Sequence, residues 1–94
     1  MTPYTPQPID TKGVKLPADL LALTEFLAKN THDIWAQQCL ADGWKYGAKH
    51  DEERKEHPCL VLYEDLPEHV KEYDRNTAME AIKVIKKLGF KIEK

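Results

Sequence analysis

Apolar side chains recur at the helical period between residues 18 and 42. This spacing predicts one long amphipathic helix, which Pro17 starts and Gly43 ends. We expect the core to be formed by a first stripe on this helix, consisting of Leu20, Leu23, Leu27, Ile34 and Ala41.

The same helix carries a second stripe about a third of a turn or more away. It is only partly apolar, and two of its members carry ring nitrogens. A helix with two such faces usually contacts two things, so we expect the second stripe to face a ligand or a partner. Its members are Leu21, Ala28, His32, Trp35 and Cys39.

Two further helices are expected towards the C-terminus. Leu66-Pro67 opens a short helix that runs to about Tyr73, and Thr77 and Glu80 have the spacing of a capping box that starts another. Gly89 ends this last helix. Its apolar stripe consists of Ala78, Ala81, Ile82, Ile85 and Leu88. We expect four residues of the helical stripes to be buried, namely Leu27, Ile34, Ile82 and Ile85.

The remaining segments predict short strands and an arm. Residues 59–63 favour a strand that pairs with residues 90–92, and residues 43–56 form a polar connection. Residues 1–16 hold three of the six prolines and are expected to form an extended arm, anchored by Tyr4, Ile9, Val14 and Leu16. The expected fold is therefore mainly α with minor β. Residues 1–94 form a single domain, in which one long helix packs against a C-terminal helix.

Charge and composition narrow the function. The net charge of −2 argues against nucleic-acid binding, which needs a basic face, and no apolar run approaches the roughly 18–20 residues that span a bilayer. The polar, proline-rich N-terminus lacks the pattern of a signal peptide. Cys39 and Cys59 are too few for a disulfide framework, so we expect reduced thiols and a cytoplasmic location.

Three landmarks stand out: His32-Asp33-Ile34-Trp35, Gly43-Trp44-Lys45-Tyr46-Gly47 and His57-Pro58-Cys59-Leu60-Val61. On a helix His32 and Trp35 share a face, where they can stack on a flat ring and donate one hydrogen bond. The alternative interpretation places Trp35 in the core and His32 at its polar edge. The residues alone leave both interpretations open.

The other landmarks are weaker functional candidates. The glycine-flanked landmark is expected to be structural, although Tyr46 can offer its hydroxyl to a ligand. We expect Cys59 to be a buried, unreactive thiol, because no third group orients His57. No catalytic residue and no metal site are expected, since the histidines lack zinc-ligand spacing. The candidate ligand-binding residues are His32, Trp35, Tyr46, His50 and Arg54.

The three landmarks occur together with similar runs at residues 4–11, 73–78 and 88–90, in matching order and spacing. From about Tyr4 to Ile92 the chain resembles a single Ry repeat (RyR domain). This module occurs in tandem in ryanodine receptors and singly in bacterial and phage proteins, and we expect a bacterial or phage version.

The resemblance implies a function. In ryanodine receptors, tandem repeats pair about an approximate two-fold axis, and the Trp that matches Trp35 contributes to a cleft for adenine nucleotides. It therefore implies a non-catalytic module without a cofactor that binds a nucleotide-like small molecule, in the cleft of a homodimer formed through the second stripe. The alternative is a protein-interaction or scaffold module with no small ligand.

Overall fold

The computed structural model describes residues 3–94 and is mainly helical. Two long helices pack against each other, and one very short parallel sheet lies beside them. This architecture confirms the predicted fold class, which is mainly α with minor β. The elements are α1 (Ala18–Ala41), β1 (Lys45–Tyr46), β2 (Glu56–His57), a 3₁₀ turn (Tyr63–Asp65) and α2 (Glu68–Lys87).

The ends of α1 follow the sequence signals. Pro17 precedes the first turn, where its missing N–H costs nothing. At the other end Gly43 adopts a φ of 92°, and the Trp44 amide donates to the Cys39 carbonyl over 2.9 Å. This is a Schellman motif, and it turns the chain back along the helix so that Trp44 returns towards α1.

The C-terminal half forms one helix where the sequence predicted two. Pro67 starts α2 as expected, but the helix continues without a break from Glu68 through Lys87. Thr77 therefore lies in its interior, and Glu80 accepts a 2.6 Å hydrogen bond from the Thr11 hydroxyl instead of capping a helix. No Gly or Pro separates the two predicted helices, so nothing interrupts the backbone ladder. Gly89 ends α2, as predicted.

The predicted strands at 59–63 and 90–92 are wrong. The first segment is an irregular turn leading into the 3₁₀ turn, and the second has no regular structure. Tyr63 and Leu66 are both buried in the core. A strand would point two residues three apart to opposite faces, whereas a 3₁₀ turn places them on one side. The actual strands pair in parallel, with Lys45 opposite Glu56 and Tyr46 opposite His57.

On α1 the core lies mainly on the second stripe, whereas the sequence predicted it on the first, of which only Leu20 is buried. Ala28 is completely buried against Tyr63 and Leu66, and His32 is buried beside it. Ile34, which was expected in the core, is exposed. Most of the second stripe therefore faces the core, although Leu21 is exposed. Ala28 is small enough to let the 3₁₀ turn approach closely.

Of the four residues predicted to be buried, only Ile82 is fully so. Leu27 is half-buried, while Ile34 and Ile85 are exposed. On α2 the buried side chains are Ala78 and Ile82, so only part of the predicted stripe of that helix packs on α1.

The arm is held by polar contacts and by only two of the four predicted apolar anchors. Tyr4 and Ile9 are exposed, whereas Val14 and Leu16 are half-buried. Thr11 is buried where its hydroxyl meets Glu80 on α2. Lys86 and Lys87, near the end of α2, donate to backbone carbonyls of the arm, which adds to this attachment.

One arginine links the two helices at their surface. Arg75 of α2 contacts Glu25 of α1 over 2.6 Å and also pairs with Glu68 of its own helix. These contacts hold the pKa values of both carboxyl groups below their usual range. Within residues 3–94, neither helix is long and apolar enough to cross a membrane.

Candidate functional site

Six aromatic rings form a continuous set of neighbours, which we call the ring series. Neighbouring ring centroids are between 4.8 and 6.2 Å apart. The series runs from the polar connection into the core. Its order is Trp44, His50, His57, Trp35, His32 and Tyr63.

Three local features assemble this series. His32 and Trp35 are one helical turn apart on α1, so their rings share a face. The Schellman motif turns Trp44 back towards the same helix. The register of the sheet then sets His57 opposite Tyr46, two residues beyond Trp44. The three landmarks of the sequence therefore meet in space.

A cleft of about 300 Å³ opens beside the middle of the ring series. It lies between α1, α2 and the turn that follows β2. Its walls are mostly apolar, with a few polar groups at defined points. The lining residues are Thr31, His32, Trp35, His57, Cys59, Val70 and Asp74.

The two histidines that line the cleft have assignable tautomers. A carbonyl oxygen only accepts, so His32 Nε2 carries the proton in its 2.7 Å hydrogen bond to Val61. His57 Nδ1 accepts from the Cys59 amide over 3.0 Å. Burial lowers the pKa of His57, and the neighbouring His50 lowers it further. His57 is therefore a neutral ring at neutral pH, with its proton on Nε2.

Burial also controls the acidic groups of the cleft. It raises the pKa of Asp74, while the nearby His32 acts in the opposite direction. It likewise raises the pKa of the Cys59 thiol, and the charge of Asp74 adds to that effect. Cys59 thus stays protonated and weakly nucleophilic. Both cysteines are free, as the sequence predicted.

The five candidate ligand-binding residues do not gather in one place. His32 and Trp35 line the cleft. His50 stacks on the outer side of His57, and Tyr46 is exposed on β1. Arg54 is exposed in the connecting loop, 3.8 Å from Asp51. Their role in binding stays a prediction.

Sequence reasoning did not propose five of the seven residues that line the cleft as ligand-binding, among them His57, Cys59 and Asp74. His57 and Cys59 were considered only as a nucleophilic pair. Asp74 was not considered, although it belongs to the run at 73–78 on which the resemblance rests. That run places one acidic residue in the cleft and one basic residue, Arg75, between the helices.

The cleft has a definite electrostatic character. Among its lining residues there is no lysine or arginine, and Asp74 is the one carboxyl group. An aromatic wall with a partly buried carboxyl group can stack a flat ring and accept hydrogen bonds from its N–H groups. It offers no cation to a phosphate.

A family model described as the RyR domain matches residues 4–94. The chain therefore belongs to the RyR domain family, as the resemblance implied. The matched residues include all three landmarks, the ring series and every residue that lines the cleft.

Proposed function

We propose that this chain is a cytoplasmic, non-catalytic RyR module that binds a nucleotide-like small molecule in the cleft between α1 and α2. The observation that carries the proposal is the joint presence of the Trp35 ring, the His57 ring and the Asp74 carboxyl group around one apolar cavity. Small-molecule sites typically combine apolar walls with a few placed polar groups.

The cleft suits the base of a nucleotide better than its phosphates. Its 300 Å³ is at the lower end of the ~300–1,000 Å³ range of ligand pockets, which favours a single ring system. The base would stack on Trp35 and donate from an amino group to Asp74. The phosphates would extend towards the loop that holds His50 and Arg54, the residues that the sequence proposed.

The geometry also supports a non-catalytic role. A nucleophile needs a base within hydrogen-bond reach and a third group that orients the base. His57 Nδ1 already accepts a hydrogen bond from the Cys59 amide, and the pKa of the Cys59 thiol is raised. The pair is therefore arranged for structure rather than for proton transfer.

Thermal unfolding with adenine, adenosine, AMP and ATP tests the proposal. A ligand at 100 times its Kd should stabilise the protein by about 2.7 kcal/mol. If the base carries recognition, adenosine and ATP should give similar shifts. If Arg54 holds the phosphates, ATP should give the larger shift, and Arg54→Ala should remove the difference.

Three variants make the test specific. Trp35→Leu should abolish the ligand-induced shift. Trp44→Leu removes a ring of the same series that does not line the cleft, and it should keep the shift. Asp74→Asn should weaken binding of any ligand that donates to the carboxylate. If none of the four ligands shifts the unfolding temperature, the small-molecule function is wrong.

A protein-interaction or scaffold role is the alternative, and one observation favours it. Several large apolar side chains of both helices remain uncovered within residues 3–94, among them Phe26, Leu40 and Ile85. The particular dimer predicted through the second stripe is not retained, because Ala28 and His32 are buried inside the fold.

A further inference from the structure

We propose that α1 packs against α1 of a second copy of this chain through an apolar face that is mostly exposed. This interface is separate from the cleft, so it goes beyond the proposed function. The face, which we call the outer stripe, consists of Leu23, Phe26, Leu27, Ile34, Leu40 and Ala41.

The spacing of the outer stripe is that of a helix-pairing seam. Leu23, Leu27, Ile34 and Ala41 fall on the alternating three- and four-residue positions at which paired helices place apolar side chains. Phe26 and Leu40 flank this seam. Phe26 is 74% exposed, Leu40 59% and Ile34 47%, so most of the stripe is uncovered.

The seam is uncharged along its whole length. The two seam positions that are not apolar hold Asn30 and Gln37, and Glu25 and Lys29 lie on other faces. A two-fold dimer uses the same patch twice, so a charge on the seam would be buried against the apolar seam of the second copy. An uncharged seam fits a second copy better than it fits a strongly charged partner.

The surface of the chain is larger than a closed monomer of its mass would have. Its accessible area is 7642 Å², whereas a folded monomer of 10.9 kDa is expected to expose about 5,600 Å². The radius of gyration is 16.2 Å, against roughly 12 Å for a compact chain of 94 residues. The exposed arm contributes part of this excess. A stable interface buries only about 800 Å² on each partner, which is less than the excess accessible area of this chain.

A groove at one end of the outer stripe indicates how the two helices run. The groove measures about 440 Å³ and is lined by Leu20, Leu23, Phe26 and Ile92, among others. If the helices are antiparallel, Leu40 of the second copy lies opposite Phe26 and can enter this groove. The same register sets Asp33, in the flanking row, opposite Asp33 of the second copy, so this contact should weaken the dimer.

Sedimentation velocity over a concentration series tests the interface. The wild-type chain should sediment at about twice 10.9 kDa. Ile34→Glu should be a monomer, and circular dichroism should show that it keeps its helix content. Tyr73→Glu is the matched control, because Tyr73 is 71% exposed on α2 and it should leave the dimer intact.

Asp33→Asn should lower the dissociation constant of the dimer, because it removes the facing pair of Asp33 charges. A misfolded variant would weaken the dimer, so this result cannot come from misfolding. A wild-type chain that is monomeric at every concentration overturns the proposal. A dimer that survives Ile34→Glu, or one that Tyr73→Glu also breaks, overturns the assignment of the face. A dimer that Asp33→Asn does not tighten overturns the antiparallel register. None of these outcomes depends on ligand binding, so they are distinguishable from failure of the proposed function.

Discussion

His32 Nε2 donates a 2.7 Å hydrogen bond to the carbonyl oxygen of Val61, and the ring that makes this bond is 4% exposed. The bond joins α1 to the turn that carries Cys59 and Tyr63. A polar ring can therefore occupy the core face of α1 with its N–H group paired.

Replacing His32 by Phe should destabilise the protein by about 1–3 kcal/mol, because the Val61 carbonyl would lose its donor. Urea unfolding monitored by circular dichroism measures the loss. His69→Phe, at an exposed position of α2, is the matched control and should be nearly neutral. Equal effects of the two substitutions would show that the hydrogen bond contributes nothing.

Two isoleucines of α2, three residues apart, should respond very differently to truncation. Ile82 is 4% exposed and Ile85 is 42% exposed. Ile82→Ala should cost roughly 2–5 kcal/mol, as buried aliphatic truncations do, and Ile85→Ala less than about 1 kcal/mol. Chemical denaturation of both variants checks this. A larger loss for Ile85→Ala would mean that the buried face of α2 is assigned wrongly.

The isoleucines and His32 show what the sequence could predict. The sequence predicts the helical fold class from the local spacing of apolar residues. It predicts the helix ends at Gly43 and Gly89 from the conformations that glycine favours. The buried face of α1 does not follow from the sequence, because periodicity offered two stripes and ranked them by apolar content. The structure buries Ala28 and His32 of the less apolar stripe, since a long-range hydrogen bond to Val61 and the small size of Ala28 decide the packing there.

The cleft was predictable only in part, for the same reason. Local spacing pairs His32 with Trp35, but Asp74 comes from α2 and His57 from β2. Their approach depends on how the helices cross and on the register of a sheet that has only two residues in each strand. The predicted strand at 59–63 was wrong because β-propensity does not record that Tyr63 starts a 3₁₀ turn and packs on Ala28 together with Leu66.

Stability should fall as the pH drops through the unfolded pKa of His57, which is 6.5. Burial and the neighbouring His50 lower the pKa of His57 in the folded protein. Just below pH 6.5, His57 is therefore protonated in the unfolded chain but still neutral in the folded protein. The loss should level off once the pH passes the folded pKa.

Denaturant unfolding on both sides of pH 6.5, with wild type and His57→Gln, tests this linkage. The variant should lose much of the pH dependence. The pKa values of Glu25 and Glu68 are also lowered, but they change the stability only below about pH 4.5, the ordinary value of these groups. They therefore do not affect the comparison around pH 6.5. An unchanged slope in His57→Gln would place the responsible proton elsewhere.

Gly47 is expected to control the geometry of the ring series. Its amide donates to the His57 carbonyl at the end of the sheet, and a Cβ at this position would collide with the side chain of Glu56. Gly47→Ala should therefore push β1 away from β2 and shift His57 relative to Trp35. Trp fluorescence should change, and ligand-induced stabilisation should weaken, with little loss of helix content by circular dichroism. Ala48→Ser, at the neighbouring exposed position, should leave all three readouts unchanged. Wild-type fluorescence in Gly47→Ala would show that the sheet does not position the rings.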